Sequence, residues 1–160
     1  YGILRYFNIA GSSPSGKIGL LNKSDNLFKN YSKQIMKKKP TLKIYGGDYN
    51  TKDGSCIRDF IHVSDIAEIH YKVLNQIDKT KKSKVLNCGY NKGNSVLDVA
   101  KEFKRQSSKK VKILFIKRRK GDLVKIIASN KKLMKFIKWR PKYNNLSKIV
   151  QSCLNWEKRQ

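Results

Sequence analysis

The chain has 160 residues, of which 39% are hydrophobic, and this length and composition suit a single globular domain with its own core. Its 37 basic and 11 acidic residues give a net charge of +26, yet only seven of the basic residues are arginine. Because nucleic-acid readout and bidentate phosphate contacts depend on arginine, the lysine excess favours a solvated, compositionally biased surface, with a polyanion-binding face as the alternative.

Three further features bound the environment of the chain. Cys56, Cys88 and Cys153 are far apart and form no Cys-x-x-Cys pair, which excludes metal or redox spacing and favours a reducing, cytoplasmic location. No apolar run approaches the roughly 18 residues that cross a bilayer, so we expect no membrane contact. The chain starts without an initiator Met and inside an apolar run, so we expect a fragment of a longer protein.

Apolar periodicity predicts strands and helices that alternate along the chain, which is the pattern of the α/β class. Apolar positions at helical spacing mark the helices, and short apolar runs bounded by Gly or Asn mark the strands. In chain order the predicted elements are a strand over 3–7, a helix over 26–38, a strand over 42–45, a helix capped by Ser64, a strand over 85–89, a helix that begins with a Ser95–Asp98 capping box, a strand over 111–116 and a helix over 149–156.

The segment from Thr51 to Asp65 combines a glycine turn, an arginine beside an aspartate, an aromatic residue and a helix cap. This order suits a short strand that carries Arg58 to the edge of a pocket and continues at once into a helix. An isolated Arg58–Asp59 pair would more often be a surface ion pair. The other interpretation is that Arg58 belongs to a ligand site. This interpretation depends on a second basic cluster further along the chain.

That second cluster is Lys117-Arg118-Arg119-Lys120, which runs into Gly121 and Asp122. An arginine followed by a flexible glycine and a carboxylate offers donors for a phosphate and an acceptor for ribose hydroxyls. Two such arginine sites, separated by folded α/β units, fit a nucleoside diphosphate. A solvated loop is the other interpretation of the cluster when it is considered alone.

Polar residues near the predicted strands give weaker indications. Asn8 follows the first strand, where ligands bind in open α/β sheets, although it could equally form a turn before Gly11. His62 lies between Ile61 and Val63, which predicts a hydrogen-bonded core histidine and not a catalytic base. The chain contains no G-x-G-x-x-G motif, no P-loop and no Tyr-x-x-x-Lys pair.

Taken in order, these motifs resemble the UDP-glucose 4-epimerases, which belong to the extended short-chain dehydrogenase/reductase superfamily. The resemblance covers essentially all 160 residues. The matching segments are Leu4–Asn8 with Ala10–Gly11, Asp25–Leu27, Ile44–Gly46, Asp48–Tyr49 with Thr51, Asp53–Asp65, Asn94–Val96, Arg118–Asp122, Ala128–Ser129 and Trp139–Tyr143.

The resemblance implies an α/β fold in which residues 1–160 form the C-terminal, substrate-binding part of an NAD-binding, Rossmann-type extended short-chain dehydrogenase/reductase fold. Residues 1–11 and 84–89 would be strands of the Rossmann sheet, and the N-terminal NAD-binding part would be absent. Tyr6 and Phe7 would border the nicotinamide of NAD. Asn8 would contact the pyrophosphate of the substrate, and Asn26 and Leu27 would close over the UDP.

The remaining roles implied by the resemblance concern the UDP-hexose. Lys43, Ile44 and Tyr45 would hold the uracil, with Phe60 close to it. The other implied contacts are Arg58 and Arg119 to phosphate oxygens, Asp122 to a ribose hydroxyl, and Ile126 to the sugar pocket, where its bulk would disfavour N-acetylated hexoses.

In enzymes of this family NAD removes a hydride from C4 of the hexose while a tyrosine, acidified by a lysine, removes the hydroxyl proton. The resemblance therefore implies UDP-glucose 4-epimerase activity, with no catalytic residue in this chain and with the missing N-terminal half as a partner, in a homodimer when complete. A nucleotide-sugar 4,6-dehydratase or decarboxylase is the nearest alternative. A basic nucleic-acid-binding module is the alternative of another class, and it is disfavoured by the scarcity of arginine.

Overall fold

The computed structural model describes residues 1–21 and 26–160. Asp25 of the matched Asp25–Leu27 segment lies outside the described residues. The described ranges form a mixed α/β fold, as predicted, and contain no helix long and apolar enough to cross a membrane. The elements are β1 (Gly2–Tyr6), β2 (Asn8–Ala10), α1 (Leu27–Met36), β3 (Thr41–Tyr45), β4 (Ile57–Arg58), β5 (Phe60–His62), α2 (Val63–Thr80), β6 (Lys84–Cys88), β7 (Asn94–Ser95), α3 (Val96–Arg105), β8 (Lys112–Ile116), β9 (Lys125–Ile126), α4 (Lys131–Ile137) and α5 (Leu146–Glu157).

Parallel pairing joins strands that are distant in the sequence. β1 pairs with β6, β2 with β5 and β3 with β8, and β4 lies between antiparallel β7 and parallel β9. The predicted strand over 3–7 is confirmed as β1, and a second short strand, β2, follows Phe7 and pairs with β5 instead of β6. The pairing of β1 with β6 brings together the two segments expected to belong to a Rossmann sheet, and their membership in a larger sheet stays a prediction.

Helix α1 is shorter than the predicted 26–38, and both of its ends have side-chain partners. The Asn26 side chain accepts hydrogen bonds from the backbone N–H groups of Phe28 and Lys29 and so caps the first turn. At the other end the Lys109 ammonium donates to the carbonyl oxygens of Ile35, Met36 and Lys37 at 3.0, 2.9 and 3.0 Å. These carbonyls would otherwise have no partner in the helix.

The prediction that Ser64 caps helix α2 is wrong. The helix begins at Val63, and the N-cap is His62, whose Nδ1 accepts the Ser64 N–H at 3.1 Å. The cap lies earlier because strand β5 runs into the helix without a loop, so its last residue supplies the acceptor. The capping box of Ser95 and Asp98 at the start of α3 is confirmed.

The core lies between the helices and the inner faces of the strands. Phe28 contacts Phe60 edge-on at 5.0 Å between ring centroids, and Tyr31 contacts Phe103 in the same manner at 5.7 Å. Cys56, Cys88 and Cys153 are buried and unpaired. The fully buried large side chains are Trp139, Phe28, Phe103, Leu42, Ile44, Ile61, Ile69, Leu86, Leu133, Ile149, His62 and Val99.

Helix α4, which is rich in lysine, was not predicted from the sequence because among its residues only Leu133 is buried.

Candidate functional site

A cavity of about 790 Å³ lies beside α1 and is lined by residues of β1, β2, β3, β4 and β5 and by Arg119 and Asp122, which follow β8. Its walls come from segments that are distant in the sequence, and the tertiary fold alone brings them together. Most of the residues predicted to bind a ligand line this cavity: Tyr6, Phe7, Asn8, Asn26, Leu27, Lys43, Tyr45, Arg58, Phe60, Arg119 and Asp122. Their shared location supports one ligand site, while the role of each residue stays a prediction.

Ile44 and Ile126 are the two predicted residues that the structure does not bring to the cavity. Side chains alternate along a strand, so Lys43 and Tyr45 face the cavity while Ile44 lies in the core with no exposed surface. Ile126 lies in β9 directly beside Arg58, and its carbonyl oxygen accepts the Asp59 N–H at 3.1 Å. Neither side chain lines the cavity in the described part of the chain.

Arg58 and Asp122 form an ion pair at one wall of the cavity. Nη2 of Arg58 lies 3.4 Å from Oδ1 of Asp122, and Nη1 donates to the carbonyl oxygen of Ile57 at 2.9 Å. The Arg58 side chain is 11% exposed. Arg119 lies nearby with its guanidinium carbon 3.8 Å from the centroid of the Tyr45 ring. Two guanidinium groups from distant segments therefore line one cavity beside a carboxylate.

Asp59 is not the ionic partner of Arg58, contrary to the surface-pair interpretation. It is fully buried and accepts backbone N–H groups from Tyr90, Asn91 and Ala128 at 2.9, 2.9 and 3.2 Å. Burial raises the pKa of Asp59, and these backbone donors act in the opposite direction. Asp59 thus ties the turn after β6 and the segment after β9 to the β4–β5 junction that carries Arg58.

The Tyr6 hydroxyl is hydrogen-bonded to Nε2 of His70 at 2.5 Å, at the wall that β1 contributes. Nδ1 of His70 lies 2.8 Å from the carbonyl oxygen of Ile66. A carbonyl oxygen can only accept, so Nδ1 carries the proton of the neutral ring and Nε2 accepts from Tyr6. Burial raises the pKa of Tyr6. The hydroxyl therefore stays protonated, and this contact sets the orientation of the ring.

His62 is a buried, hydrogen-bonded histidine, as predicted. Its Nδ1 accepts from Ser64, and its Nε2 lies 3.3 Å from the Ser152 hydroxyl, which itself donates to the Ile149 carbonyl oxygen. The His62 ring also stacks on Tyr143 at 4.4 Å between centroids. Burial lowers its pKa, so the neutral ring serves the fold and has no nitrogen left for acid–base chemistry.

Sequence reasoning missed several residues of the cavity wall. Tyr31 in α1 is only 3% exposed, yet it also borders the cavity and donates its hydroxyl to the Lys43 carbonyl oxygen at 2.9 Å. The Tyr31 ring packs in the core and also borders the cavity, and helical periodicity shows only the first of these contacts. The other unpredicted lining residues are Ile9, Phe28, Asn30, Gln34, Lys37, Thr41, Cys56 and Val96. Within the described ranges no group of three acidic, His or Cys side chains could hold a metal ion.

Comparison with known proteins adds independent information. The model of the "NAD dependent epimerase/dehydratase family" matches residues 1–89. The chain is 39% identical over 157 residues to a UDP-glucose 4-epimerase of Azospirillum brasilense, covering 98% of this chain and 45% of that protein. It is 33% identical over 164 residues to UDP-arabinose 4-epimerase 1 of Arabidopsis thaliana, covering 98% of this chain and 38% of that protein. The chain thus spans about half the length, or less, of these curated relatives.

Solved structures show the same likeness. A UDP-glucose 4-epimerase from Bifidobacterium longum, in complex with NAD+ and UDP, matches with a TM-score of 0.90 and 33% identity over 99% of this chain and 48% of that one. A UDP-Glc/GlcNAc 4-epimerase from Campylobacter jejuni matches with a TM-score of 0.81 and 39% identity over 99% of this chain and 48% of that one. The fold described above is therefore that of a large part of these enzymes.

Proposed function

The chain belongs to the NAD dependent epimerase/dehydratase family, and we propose that it forms the UDP-sugar-binding, C-terminal part of a UDP-glucose 4-epimerase. The complete enzyme would interconvert UDP-glucose and UDP-galactose. Curated relatives with that activity match over nearly the whole chain, at identities of 36% and 39% in two of them. Because the chain spans about half of these relatives, the activity is proposed for the complete protein and the binding of UDP for this part of it.

The observation that carries the proposal is the cavity that contains Arg58, Arg119 and Asp122. Two guanidinium groups can each donate two parallel hydrogen bonds to phosphate oxygens, which suits a diphosphate better than single ammonium groups do. The Asp122 carboxylate, now 3.4 Å from Arg58, can accept from a ribose hydroxyl when Arg58 turns to a phosphate. Tyr45 and Phe60 supply aromatic surface for a base at the same cavity.

In this mechanism the residues of the chain hold the UDP and leave the sugar free to turn. Asn8 and Asn26 line the same cavity as the arginines. The hydrogen bond from Asn26 to the Ile9 carbonyl oxygen at 2.9 Å orients its side chain, while its oxygen caps α1. A firmly held diphosphate lets a sugar intermediate rotate without dissociating, which is what inversion at C4 requires.

Toward NAD, the chain offers Tyr6 and Phe7 at one wall of the cavity. It contains no glycine-rich dinucleotide motif and no Tyr-x-x-x-Lys pair, so we propose that other residues of the complete protein supply both. The bound cofactor would take up and return the hydride at C4. The contribution of this chain is to present flat aromatic surface, with the Tyr6 hydroxyl engaged by His70.

The β1–β6 pair is consistent with further strands and helices in the complete protein. Parallel sheets are generally covered on both faces, yet Ile3 and Val85 are 48% and 41% exposed on one face of this pair. We further propose a homodimer and a cytoplasmic location for the complete enzyme. The buried, unpaired cysteines support a reducing compartment.

The experiment is a product assay on the protein expressed from its complete coding sequence. With UDP-glucose as substrate we expect UDP-galactose as the product at equilibrium. A lasting 4-keto-6-deoxy sugar would instead identify a dehydratase. Duplex binding that falls steeply with salt and does not respond to UDP would identify a nucleic-acid-binding module and contradict the proposal.

A variant pair tests the site itself. Arg58→Ala should weaken UDP binding, measured by calorimetry, because it removes a guanidinium group from the cavity wall. Arg140→Ala removes the same charge from an exposed position outside the cavity and should leave the affinity for UDP unchanged. Equal losses in the two variants would show that general surface charge, and not this cavity, attracts the ligand.

A further inference from the structure

Arg118 and Arg119 are adjacent in the sequence but make entirely different contacts. Arg119 lines the cavity and lies against the Tyr45 ring. Arg118 does not line the cavity, and its guanidinium group contacts Asp48 and Tyr49 instead. The two side chains thus diverge from one backbone segment, and the sequence motif gave no role to Arg118.

Arg118 makes three contacts with the loop that follows β3. Its Nε donates to Oδ1 of Asp48 at 2.6 Å, and its Nη2 donates to the backbone carbonyl oxygen of the same residue. The guanidinium carbon lies 4.1 Å from the centroid of the Tyr49 ring. These hydrogen bonds hold the pKa of the Asp48 carboxyl below its usual value. A planar guanidinium can satisfy all three partners at once, whereas an ammonium group cannot.

The junction between the two segments is closely packed. Gly46 has φ +80°, and a Cβ at this position would clash with the Tyr49 ring and lie 2.9 Å from Cγ of Arg118. Its N–H donates to the Ile116 carbonyl oxygen at 2.8 Å, which joins the ends of β3 and β8. A Cβ at Gly47 would lie 2.8 Å from the Phe115 ring. Only glycine permits this approach, so the contact of Arg118 is part of the packing of two strand ends.

Residues 117–125, in contrast, are exposed throughout. Gly121 has φ +84° and no atom within 4 Å of the place where a Cβ would stand. An exposed segment with a glycine in the left-handed region has many accessible conformations unless its neighbours restrict it. Arg118 restricts it through its contacts with Asp48 and Tyr49, directly before Arg119, which lines the cavity.

We propose that Arg118 is a positioning residue for UDP-sugar binding: by binding Asp48 and Tyr49 it holds residues 117–119 so that Arg119 faces the cavity. This inference rests on the proposed function. It assigns Arg118 no direct contact with the ligand. The contribution of Arg118 to binding therefore depends on the presence of Arg119.

The experiment measures UDP and uridine binding by calorimetry, in the protein expressed from its complete coding sequence. We expect Arg118→Ala to weaken UDP binding about tenfold, the size of one lost charged hydrogen-bonding interaction, and uridine binding less than twofold. In the Arg119→Ala background, Arg118→Ala should cause no further loss of UDP affinity. An equal loss in both backgrounds would overturn the inference, because Arg118 would then act on the ligand independently.

Two more variants separate positioning from charge. Arg118→Lys keeps the charge but cannot make the three contacts, so it should behave like Arg118→Ala. Asp48→Ala removes a negative charge, which would strengthen UDP binding by electrostatics alone, whereas loss of positioning predicts weaker binding. Retained affinity in Arg118→Lys or stronger binding in Asp48→Ala would overturn the inference. The Asp48 side chain is 73% exposed, so Asp48→Ala should fold like the wild type. It therefore tests the inference even if the Arg118 variants fold poorly.

Arg105→Ala is the matched control, because Arg105 is also an exposed arginine paired with a carboxylate, that of Glu102, and lies outside the cavity. Its UDP affinity should equal that of the wild type. Absence of UDP binding by the wild-type protein would contradict the proposed function and the inference together. Wild-type UDP binding that Arg118→Ala leaves unchanged would contradict the inference alone.

Discussion

The two arginines of the cavity are held in opposite ways. Arg58 lies in strand β4, with its side chain 11% exposed, next to a buried carboxylate that accepts three backbone N–H groups. Arg119 lies on the exposed segment 117–125 and depends on contacts made by neighbouring side chains. Arg58 is therefore preorganised by the core, whereas the position of Arg119 depends on surface contacts such as that of its neighbour Arg118 with Asp48.

The largest expected effect comes from removing the buried carboxylate of Asp59, which anchors the segment that carries Arg58. Asp59→Ala would leave the N–H groups of Tyr90, Asn91 and Ala128 without their acceptor, so we expect the free energy of unfolding to fall by roughly 3 kcal/mol. Denaturant titration of the complete protein measures this loss. Asp78→Ala is the control, because that aspartate is 76% exposed and should cost less than about 0.5 kcal/mol. Similar losses in the two variants would contradict the assigned role of Asp59.

A direct test compares the two arginines in UDP binding. Arg58→Ala should weaken UDP binding by roughly thirtyfold and Arg119→Ala by about tenfold. The loss is larger for Arg58 because its side chain is already ordered, and because its removal leaves the Asp122 carboxylate unpaired near the phosphates. Calorimetry gives both values. A larger loss for Arg119→Ala would reverse the comparison.

Lys109 offers a smaller and separate test, since it binds the end of α1, a helix that lines the same cavity as the two arginines. Lys109→Met keeps much of the side-chain bulk but removes the ammonium group from the three carbonyl oxygens at the end of α1. We expect a loss of about 1 kcal/mol in the free energy of unfolding. Lys110→Met, at the exposed neighbouring position, should have no measurable effect. In the Lys109→Met background, the ratio between the losses of UDP affinity caused by Arg58→Ala and by Arg119→Ala should stay the same.

The smallest expected effect concerns an exposed ion pair of the same kind as the contact of Arg118 with Asp48. Hydrogen bonds from Arg105 above all, and from Gln106 and Ser147, lower the pKa of Glu102 from 4.5 to about 2. A lowered pKa in the folded state adds stability above the unfolded value, and this stability is lost as the pH falls through the folded value. The difference in unfolding free energy between wild type and Arg105→Ala should therefore be largest above pH 4.5 and shrink toward pH 2.

The difference should be small at every pH, because solvent screens an exposed guanidinium group. Denaturant midpoints measured at several pH values test the trend. A difference between wild type and Arg105→Ala that does not change with pH would show that Arg105 acts through packing and not through the charge of Glu102.

Much of the site could be predicted from local sequence, because the ligand chemistry is carried by short motifs. Arg58 with Phe60, and Arg119 with Asp122, are each visible as compact patterns, and both pairs line the cavity. Ile44 could not be placed, because which residues of a five-residue strand face the core depends on what packs against each face. Its partner strand β8 and helix α1 decide this, and both are distant in the sequence.

Buried polar residues were the other limit of sequence reasoning. Asp59 looked like the ionic partner of its neighbour, yet its partners are backbone groups 31 to 69 residues away. Ser64 looked like a helix cap, yet the acceptor is His62. In both places the local pattern was compatible with several partners, and the tertiary fold selected one.

The sequence by itself determined the α/β class, the capping box of α3 and the presence of two arginine–carboxylate motifs whose chemistry suits a diphosphate, because periodicity, capping and side-chain chemistry are local properties. Only the tertiary structure decided that Arg58 and Arg119 line one cavity, that Asp59 serves the fold, and that Arg118 faces away from its neighbour. These outcomes depend on parallel pairing of distant strands. Such pairing places side chains by the register between strands, which no single segment encodes.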